Sequence, residues 1–194
     1  QARYGDNKAF TRLGNTIEDM QLLVDTLLAI ARNTTNTLTL EHRSLFNILQ
    51  ELQLDLDSVG QAKGIQIHLQ QHGDEQIRQL YPSMTKMVFG NILRNALNYS
   101  QGSEIDIILQ KNKVLIADNG IGINLPNDVK VQELSSRQLK LETKGHGIGL
   151  QLVQKLCMQL GWRVELFDRQ YYLTIQSDID LKPSTGLIVV VYLG

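Results

Sequence analysis

The stretch IADNGIGI, residues 116–123, decides the fold, because an apolar strand ends there in Asp118 and two glycines spaced by one residue follow it. A carboxylate at a strand end can accept the exocyclic amine of adenine. Gly120 and Gly122 lack the side chains that would keep the backbone away from a flat ring. A tight Asp-Asn-Gly turn is the simpler interpretation, since these dipeptides commonly mark turns. The neighbouring segments have to distinguish an adenine site from a simple turn.

The helix before this strand carries two asparagines on one face. The stretch FGNILRNALNY, residues 89–99, places Asn91 and Asn95 four residues apart, so both amides leave the helix on the same side, one turn apart. Amide oxygens are hard donors that suit Mg²⁺, which keeps several waters and completes its shell with phosphate oxygens. Asparagines at this spacing are more often surface or capping residues, so the pair alone is weak evidence for a metal site.

A second glycine-rich segment, KGHGIGL, spans residues 144–150 at the start of an expected helix. The free backbone N–H groups and the positive dipole end of a helix start suit phosphate. The Gly-x-Gly-x-Gly spacing matches neither the dinucleotide-binding Gly-x-Gly-x-x-Gly nor a P-loop, which excludes both folds. Residues 124–144, between the two glycine segments, are polar and aperiodic over much of their length, which predicts a mobile lid.

The spacing of apolar residues predicts the rest of the secondary structure. Helices are expected over residues 16–32, 45–56, 83–99 and from about residue 146, with Gly60 and Gly64 stopping the second. Strands are expected near Ile77 and over residues 38–40, 65–69, 105–109, 114–117, 162–167, 171–176 and 187–192. Because strands outnumber crossover helices towards residue 194, the pattern predicts an α+β sandwich.

The composition excludes several kinds of partner. The chain has 20 acidic and 19 basic residues and a formal net charge of −1, so no field of one sign attracts it to nucleic acid. Cys157 is the single cysteine, which excludes an internal disulfide and suits a reducing compartment. No apolar stretch approaches the roughly 20 residues that span a bilayer, and no charged-then-apolar start resembles a signal peptide.

The order of these motifs resembles the GHKL superfamily of ATP-binding domains, over residues 38–194. The resemblance implies a two-layer α/β sandwich, the Bergerat fold, that binds ATP with Mg²⁺. Asn91 and Asn95 match the asparagine box, and the resemblance implies that both bind the metal. The ATP-binding residues that it implies are Asn91, Asn95, Asn98, Tyr99, Asp118, Gly120, Gly122, Ile123, Arg137, Lys144, Gly145, His146, Gly147, Ile148, Gly149 and Leu150.

The first asparagine separates the branches of this superfamily. Gyrase-like and mismatch-repair ATPases typically carry Glu at the position of Asn91, where it activates water. An amide cannot take a proton as a general base, so Asn91 favours holding Mg²⁺-ATP for transfer over hydrolysing it. Residues 20–32 look like the second helix of the dimerisation hairpin of sensor histidine kinases. We therefore expect that long helix and its linker over residues 1–37, before an ATP-binding catalytic domain over residues 38–194.

The resemblance to sensor histidine kinases implies a protein-histidine kinase that transfers the γ-phosphoryl of ATP to a histidine and then to the receiver domain of a response regulator. It also implies a homodimer through the hairpin, in the cytoplasmic portion of a bacterial sensor anchored in the inner membrane. None of the four histidines fits the acceptor motif of His, acid, Arg and Pro, so we expect the acceptor upstream of residue 1. A GHKL ATPase and a degenerate module that binds a regulator without nucleotide are the alternatives.

Asn98 departs from the family pattern, since many members carry Lys or His there, directed at the phosphates. Tyr99, beside it, could lie along the nucleotide or belong to the core. Another cation is then expected near the triphosphate, although a basic residue is more often a solvated surface group. The candidates are Arg94, Arg137, Lys140 and Lys144.

Overall fold

The computed structural model describes residues 39–74, 77–122, 147–176 and 179–194, all within the unit Thr39–Gly194. Three expectations fall outside these residues: the helix over residues 16–32, the domain boundary after residue 37 and the lid over residues 124–144. They therefore stay predictions.

The described residues form an α+β fold, as the sequence predicts. The helices are α1 (Leu45–Lys63), α2 (Pro82–Tyr99), α3 (Gly147–Gln159) and α4 (Arg169–Ile175). The strands are β1 (Glu41–Ser44), β2 (Gln66–Gln71), β3 (Ile77–Leu80), β4 (Glu104–Gln110), β5 (Lys113–Asp118), β6 (Arg163–Asp168) and β7 (Leu187–Tyr192). None of these helices is long and apolar enough to cross a membrane.

Five strands form the main sheet, in the order β2-β4-β5-β7-β6. Strands β2 and β4 run parallel, and the other neighbours run antiparallel. Strands β1 and β3 form a separate antiparallel pair. This order puts β5, whose last residue is Asp118, at the centre of the main sheet.

Three helices pack on one face of the sheet, with α1 against β2, α2 against β5 and α3 against β6. Helix α1 begins after Ser44, whose Oγ accepts a hydrogen bond from the Asn47 N–H at 3.2 Å. It ends at Gly64, whose φ of 71° favours glycine. Gly60 does not stop α1, contrary to the prediction. A Cβ at Gly60 would lie 2.7 Å from the Ile65 carbonyl oxygen, so this glycine permits the chain that follows α1 to pack closely against the helix.

The other face of the sheet is covered by a segment for which the sequence prediction is wrong. The pattern predicts a strand over residues 171–176, but helix α4 occupies most of that range. Asp168 caps α4, because its carboxylate accepts a hydrogen bond from the Tyr171 N–H at 2.9 Å. Tyr172 of α4, followed by Ile179 and Leu181, packs on sheet residues Ile108, Leu115, Ala117, Phe167, Ile188 and Val190. The central strands are therefore buried on both faces.

The first strand is also displaced from its predicted position. The alternation of leucine and threonine predicts a strand over residues 38–40, whereas β1 is Glu41–Ser44. Pairing with β3 decides this, since Glu41 lies opposite Leu80 and Ser44 opposite Ile77. Leu40 is 46% exposed, so the alternation does not mark a buried strand face.

Candidate functional site

Asp118 ends β5 with only 6% of its surface exposed. Its Oδ1 accepts hydrogen bonds from the Gly120 N–H at 2.9 Å and from the Leu187 N–H at 3.4 Å. Within the described residues, no hydrogen bond reaches its Oδ2. The backbone therefore orients the carboxylate through one oxygen and leaves the other for a ligand.

The electrostatics of Asp118 fit a ligand that donates a hydrogen bond. Burial raises the pKa of its carboxyl, while the backbone N–H groups of Gly120 and Leu187 and the guanidinium of Arg169 act in the opposite direction. A buried acid with a raised pKa, one of whose oxygens accepts no hydrogen bond from the described residues, is a candidate for a binding site. The exocyclic amine of adenine is a donor of the kind that the second oxygen lacks.

Close backbone approach explains the glycines after Asp118. A Cβ at Gly120 would lie 1.7 Å from the carbonyl oxygen of Ser100, the residue that follows α2. The Ile121 N–H donates to that same oxygen at 2.9 Å. Gly122 has a φ of 71°, a left-handed conformation that favours glycine. The first glycine segment is thus held against the end of α2.

Asn91 is buried in α2, with 2% of its surface exposed. Its Nδ2 donates to the Met87 carbonyl oxygen at 2.7 Å, which fixes the orientation of the amide. Its Oδ1 is buried and has no hydrogen-bond partner in the described part of the chain. An unpaired buried oxygen is costly, and a hydrated Mg²⁺ would supply the missing partner. The residues present therefore fit this metal.

Asn95 lies one turn beyond Asn91 and meets the second glycine segment. A Cβ at Gly149 would lie 3.1 Å from both the Oδ1 and the Nδ2 atoms of Asn95. Gly149 belongs to the first turn of α3, where helix N–H groups are free to bind an anion. The fold therefore joins the asparagine face of α2 to the start of α3.

A cation that sequence reasoning missed lies beside Asn98. The Nζ atom of Lys63, in the last turn of α1, contacts the Asn98 Oδ1 atom and reaches the Leu97 carbonyl oxygen at 3.4 Å. Lys63 and Asn98 are 35 positions apart, so no motif connects them. Only the packing of α1 along α2 reveals the pair.

The remaining site predictions divide into two groups. Outside the described residues are Ile123, Arg137, Lys140, Lys144, Gly145 and His146. Gly147 and Ile148 begin α3, and Leu150 is half-buried in it. Tyr99, the last residue of α2, is half-buried. The guanidinium of Arg94 folds back along α2, where a Cβ at Gly90 would lie 3.4 Å from both Nη atoms.

Comparison with known proteins agrees with this geometry. A family model described as histidine kinase-, DNA gyrase B- and HSP90-like ATPase matches residues 82–193. The sensor protein QseC of Salmonella typhi is 30% identical over 161 residues, which cover 81% of this chain and 36% of QseC. The chain therefore spans little more than a third of the length of that relative.

Solved structures share the fold. The structure of the cytoplasmic segment of histidine kinase QseC has a TM-score of 0.61 at 22% identity, and the match covers 89% of this chain and 90% of that one. Full-length ShkA in complex with AMPPNP has a TM-score of 0.63 at 17% identity, with 96% of this chain and 38% of that one covered. The family model spans Asn91, Asn95, Asp118 and both glycine segments. The chain belongs to the family of histidine kinase-, DNA gyrase B- and HSP90-like ATPases.

Proposed function

We propose that this chain is the ATP-binding catalytic domain of a sensor histidine kinase. The observation that carries the proposal is that α2 joins the two glycine segments. Its C-terminal end is bonded to the segment after Asp118, and Asn95 lies against Gly149 at the start of α3. A carboxylate suited to adenine and a helix start suited to phosphate are thereby connected by one helix.

Each element has a distinct role in this proposal. The free oxygen of Asp118 accepts the adenine amine, and the first turn of α3 donates its N–H groups to the phosphates. Asn91 and Asn95 would hold Mg²⁺ through their amide oxygens, and the ion would supply positive charge against the phosphates. Lys63 adds a positive charge beside Asn98.

Asn91 favours a kinase over an ATPase. Its Nδ2 is committed to the Met87 carbonyl, and its remaining oxygen cannot take a proton from water as a carboxylate does. The proposal is that the γ-phosphoryl passes to a histidine of a dimerisation hairpin and then to a response regulator receiver domain. A homodimer and a cytoplasmic position in a membrane-anchored sensor belong to the same proposal, supported by the similarity to the sensor protein QseC.

Titration with ATP, in the presence and absence of Mg²⁺, tests the binding step. We expect one ATP to bind per chain, with an affinity that Mg²⁺ increases. A chain that binds no ATP under either condition would be a nucleotide-free module, and the proposal would be wrong.

Replacing Asn95 tests the metal role. Asn95→Ala is expected to lower the affinity for ATP in Mg²⁺ about tenfold, because it removes one ligand oxygen, and to change the affinity for adenosine less than about twofold. Calorimetric titration with each ligand measures both values. Asn112→Ala, in the exposed turn between β4 and β5, is the matched control. Equal losses for ATP and adenosine would reject the metal role.

Replacing Lys63 tests the charge beside Asn98. Lys63→Gln is expected to weaken ATP binding about two- to fivefold at low salt, since an exposed charge acts through a screened field. The loss should shrink as the salt concentration rises, and adenosine binding should stay unchanged. Lys155→Gln, at an exposed position of α3, is the control. An effect of Lys63→Gln that is the same at all salt concentrations would argue against a role in phosphate binding.

A further inference from the structure

Arg169 carries a charge into the interior of the domain. It opens α4 and has 1% of its surface exposed. A buried ion pair can often be replaced by apolar residues of similar volume without loss of stability, because burying the charges costs desolvation free energy. Stability alone therefore gives little reason for an arginine at this position.

The guanidinium of Arg169 bonds to three different parts of the fold. Its Nη1 donates to the Asp118 carbonyl oxygen at 2.9 Å. Its Nη2 donates to the Lys182 carbonyl oxygen at 3.1 Å and to the Asp106 Oδ2 at 3.4 Å. The side chain thus connects β4, the end of β5 and the segment after α4. One of its hydrogen bonds ends on the backbone of Asp118, the acid proposed to bind adenine.

The backbone of Arg169 acts on the same acid from the other side. Its N–H donates to the Gly186 carbonyl oxygen at 3.0 Å. That carbonyl shares a peptide unit with the Leu187 N–H, which donates to the Asp118 Oδ1 at 3.4 Å. Arg169 therefore holds both the peptide that follows Asp118 and the peptide that orients its carboxylate.

The charge of Arg169 supports this arrangement. Burial raises the pKa of both Asp106 and Asp118, and the neighbouring guanidinium opposes that rise in each. Arg169 therefore favours the ionised form of Asp118, whose oxygens only accept hydrogen bonds.

We propose that Arg169 is a positioning residue that sets the adenine specificity of the site, by holding the free oxygen of Asp118 where the base amine can donate to it. The inference rests on the proposed ATP-binding function. Arg169 contacts the backbone of Asp118, so it acts through that residue. Its loss should therefore reduce the discrimination between bases more than it reduces the binding of the phosphates.

The test compares ATP with purine riboside triphosphate, which lacks the exocyclic amine. The double variant Arg169→Met/Asp106→Asn removes both charges of the ion pair between Arg169 and Asp106, so that neither partner is left unpaired. We expect the unaltered chain to prefer ATP by at least about tenfold, and the double variant to prefer it by less than about threefold. Arg169→Lys should keep an intermediate preference, because an ammonium on a shorter side chain cannot replace every contact of the guanidinium.

Arg163→Met, at an exposed position of β6, is the control and should keep the full preference. A double variant that is folded by circular dichroism and retains the full preference would overturn the inference. If the double variant does not fold, Arg169→Lys alone tests the inference. A full preference for ATP in that variant would then overturn it. An unaltered chain that binds neither nucleotide would instead contradict the proposed function, and the inference with it.

Discussion

Asp118→Asn is expected to weaken ATP binding about 10- to 150-fold, which corresponds to losing about 1.5–3 kcal/mol for a hydrogen bond to a charged group. The geometry puts the loss at the upper end of this range. Because Gly120 and Leu187 donate to Oδ1, the amide oxygen of the new side chain has to occupy that position. Its NH₂ group then replaces Oδ2 and meets a base amine that is also a donor.

The stability of the same variant should not fall. Burial raises the pKa of Asp118 above its ordinary value of 3.8. When the folded-state pKa of an acid is raised, its contribution to the free energy of unfolding is lost as the pH rises through that raised value. At pH 7 the uncharged asparagine is therefore expected to leave the free energy of unfolding unchanged or to increase it.

Urea denaturation and ATP titration separate these two effects. Asp55→Asn, at an exposed position of α1, is the control and should change neither quantity. If the affinity of Asp118→Asn for ATP is within about twofold of that of the unaltered chain, Asp118 is not part of the ATP site. A loss of affinity that is matched by a loss of stability would show that Asp118 serves the fold and not the ligand.

Gly120→Ala is expected to lower the free energy of unfolding by about 3 kcal/mol or more and to abolish ATP binding. The new methyl group would lie 1.7 Å from the Ser100 carbonyl oxygen and 2.4 Å from its carbonyl carbon. Both are backbone atoms, so no side-chain rotation relieves the overlap. The glycine segment would have to leave the end of α2, which breaks the hydrogen bond between Ile121 and Ser100.

Gly90→Ala is the matched control for this substitution. A Cβ at Gly90 meets its first neighbours, the Nη atoms of Arg94, at 3.4 Å, and alanine is favoured over glycine inside a helix by about 1 kcal/mol. The variant should be as stable as the unaltered chain or more so, with normal ATP binding. Thermal unfolding of both variants measures the difference. A Gly120→Ala chain that unfolds at the same temperature as the unaltered chain would refute the close packing of the first glycine segment on α2.

The sequence indicates the elements whose signal is local. An apolar run that stops at an acid predicts the end of β5 at Asp118, and Pro82 predicts the start of α2. Helix α4 is missed because Tyr171, Leu173 and Ile175 alternate with other residues in the manner of a strand. The cap at Asp168 that starts the helix is a local signal, and it could have indicated the correct structure.

Long-range contacts could not be predicted in this way. Lys63 meets Asn98 only because α1 packs along α2, and Arg169 reaches Asp118 across 51 positions. Neither residue belongs to a motif. The burial of Arg169 also depends on such a contact, since arginine is mostly exposed and is rarely buried unless it is paired, and its partner Asp106 is 63 positions away.

The proposed kinase function is tested most directly by supplying the chain with γ-labelled ATP, Mg²⁺ and a separate helical hairpin that carries the acceptor histidine of a similar sensor kinase. The measured quantities are the acid-labile label on each protein and the phosphate released. We predict label on the hairpin, none on this chain alone, and no steady release of phosphate, because transfer needs a histidine held in line with the γ-phosphoryl group. Steady phosphate release over many turnovers without labelled hairpin would identify an ATPase and contradict the account.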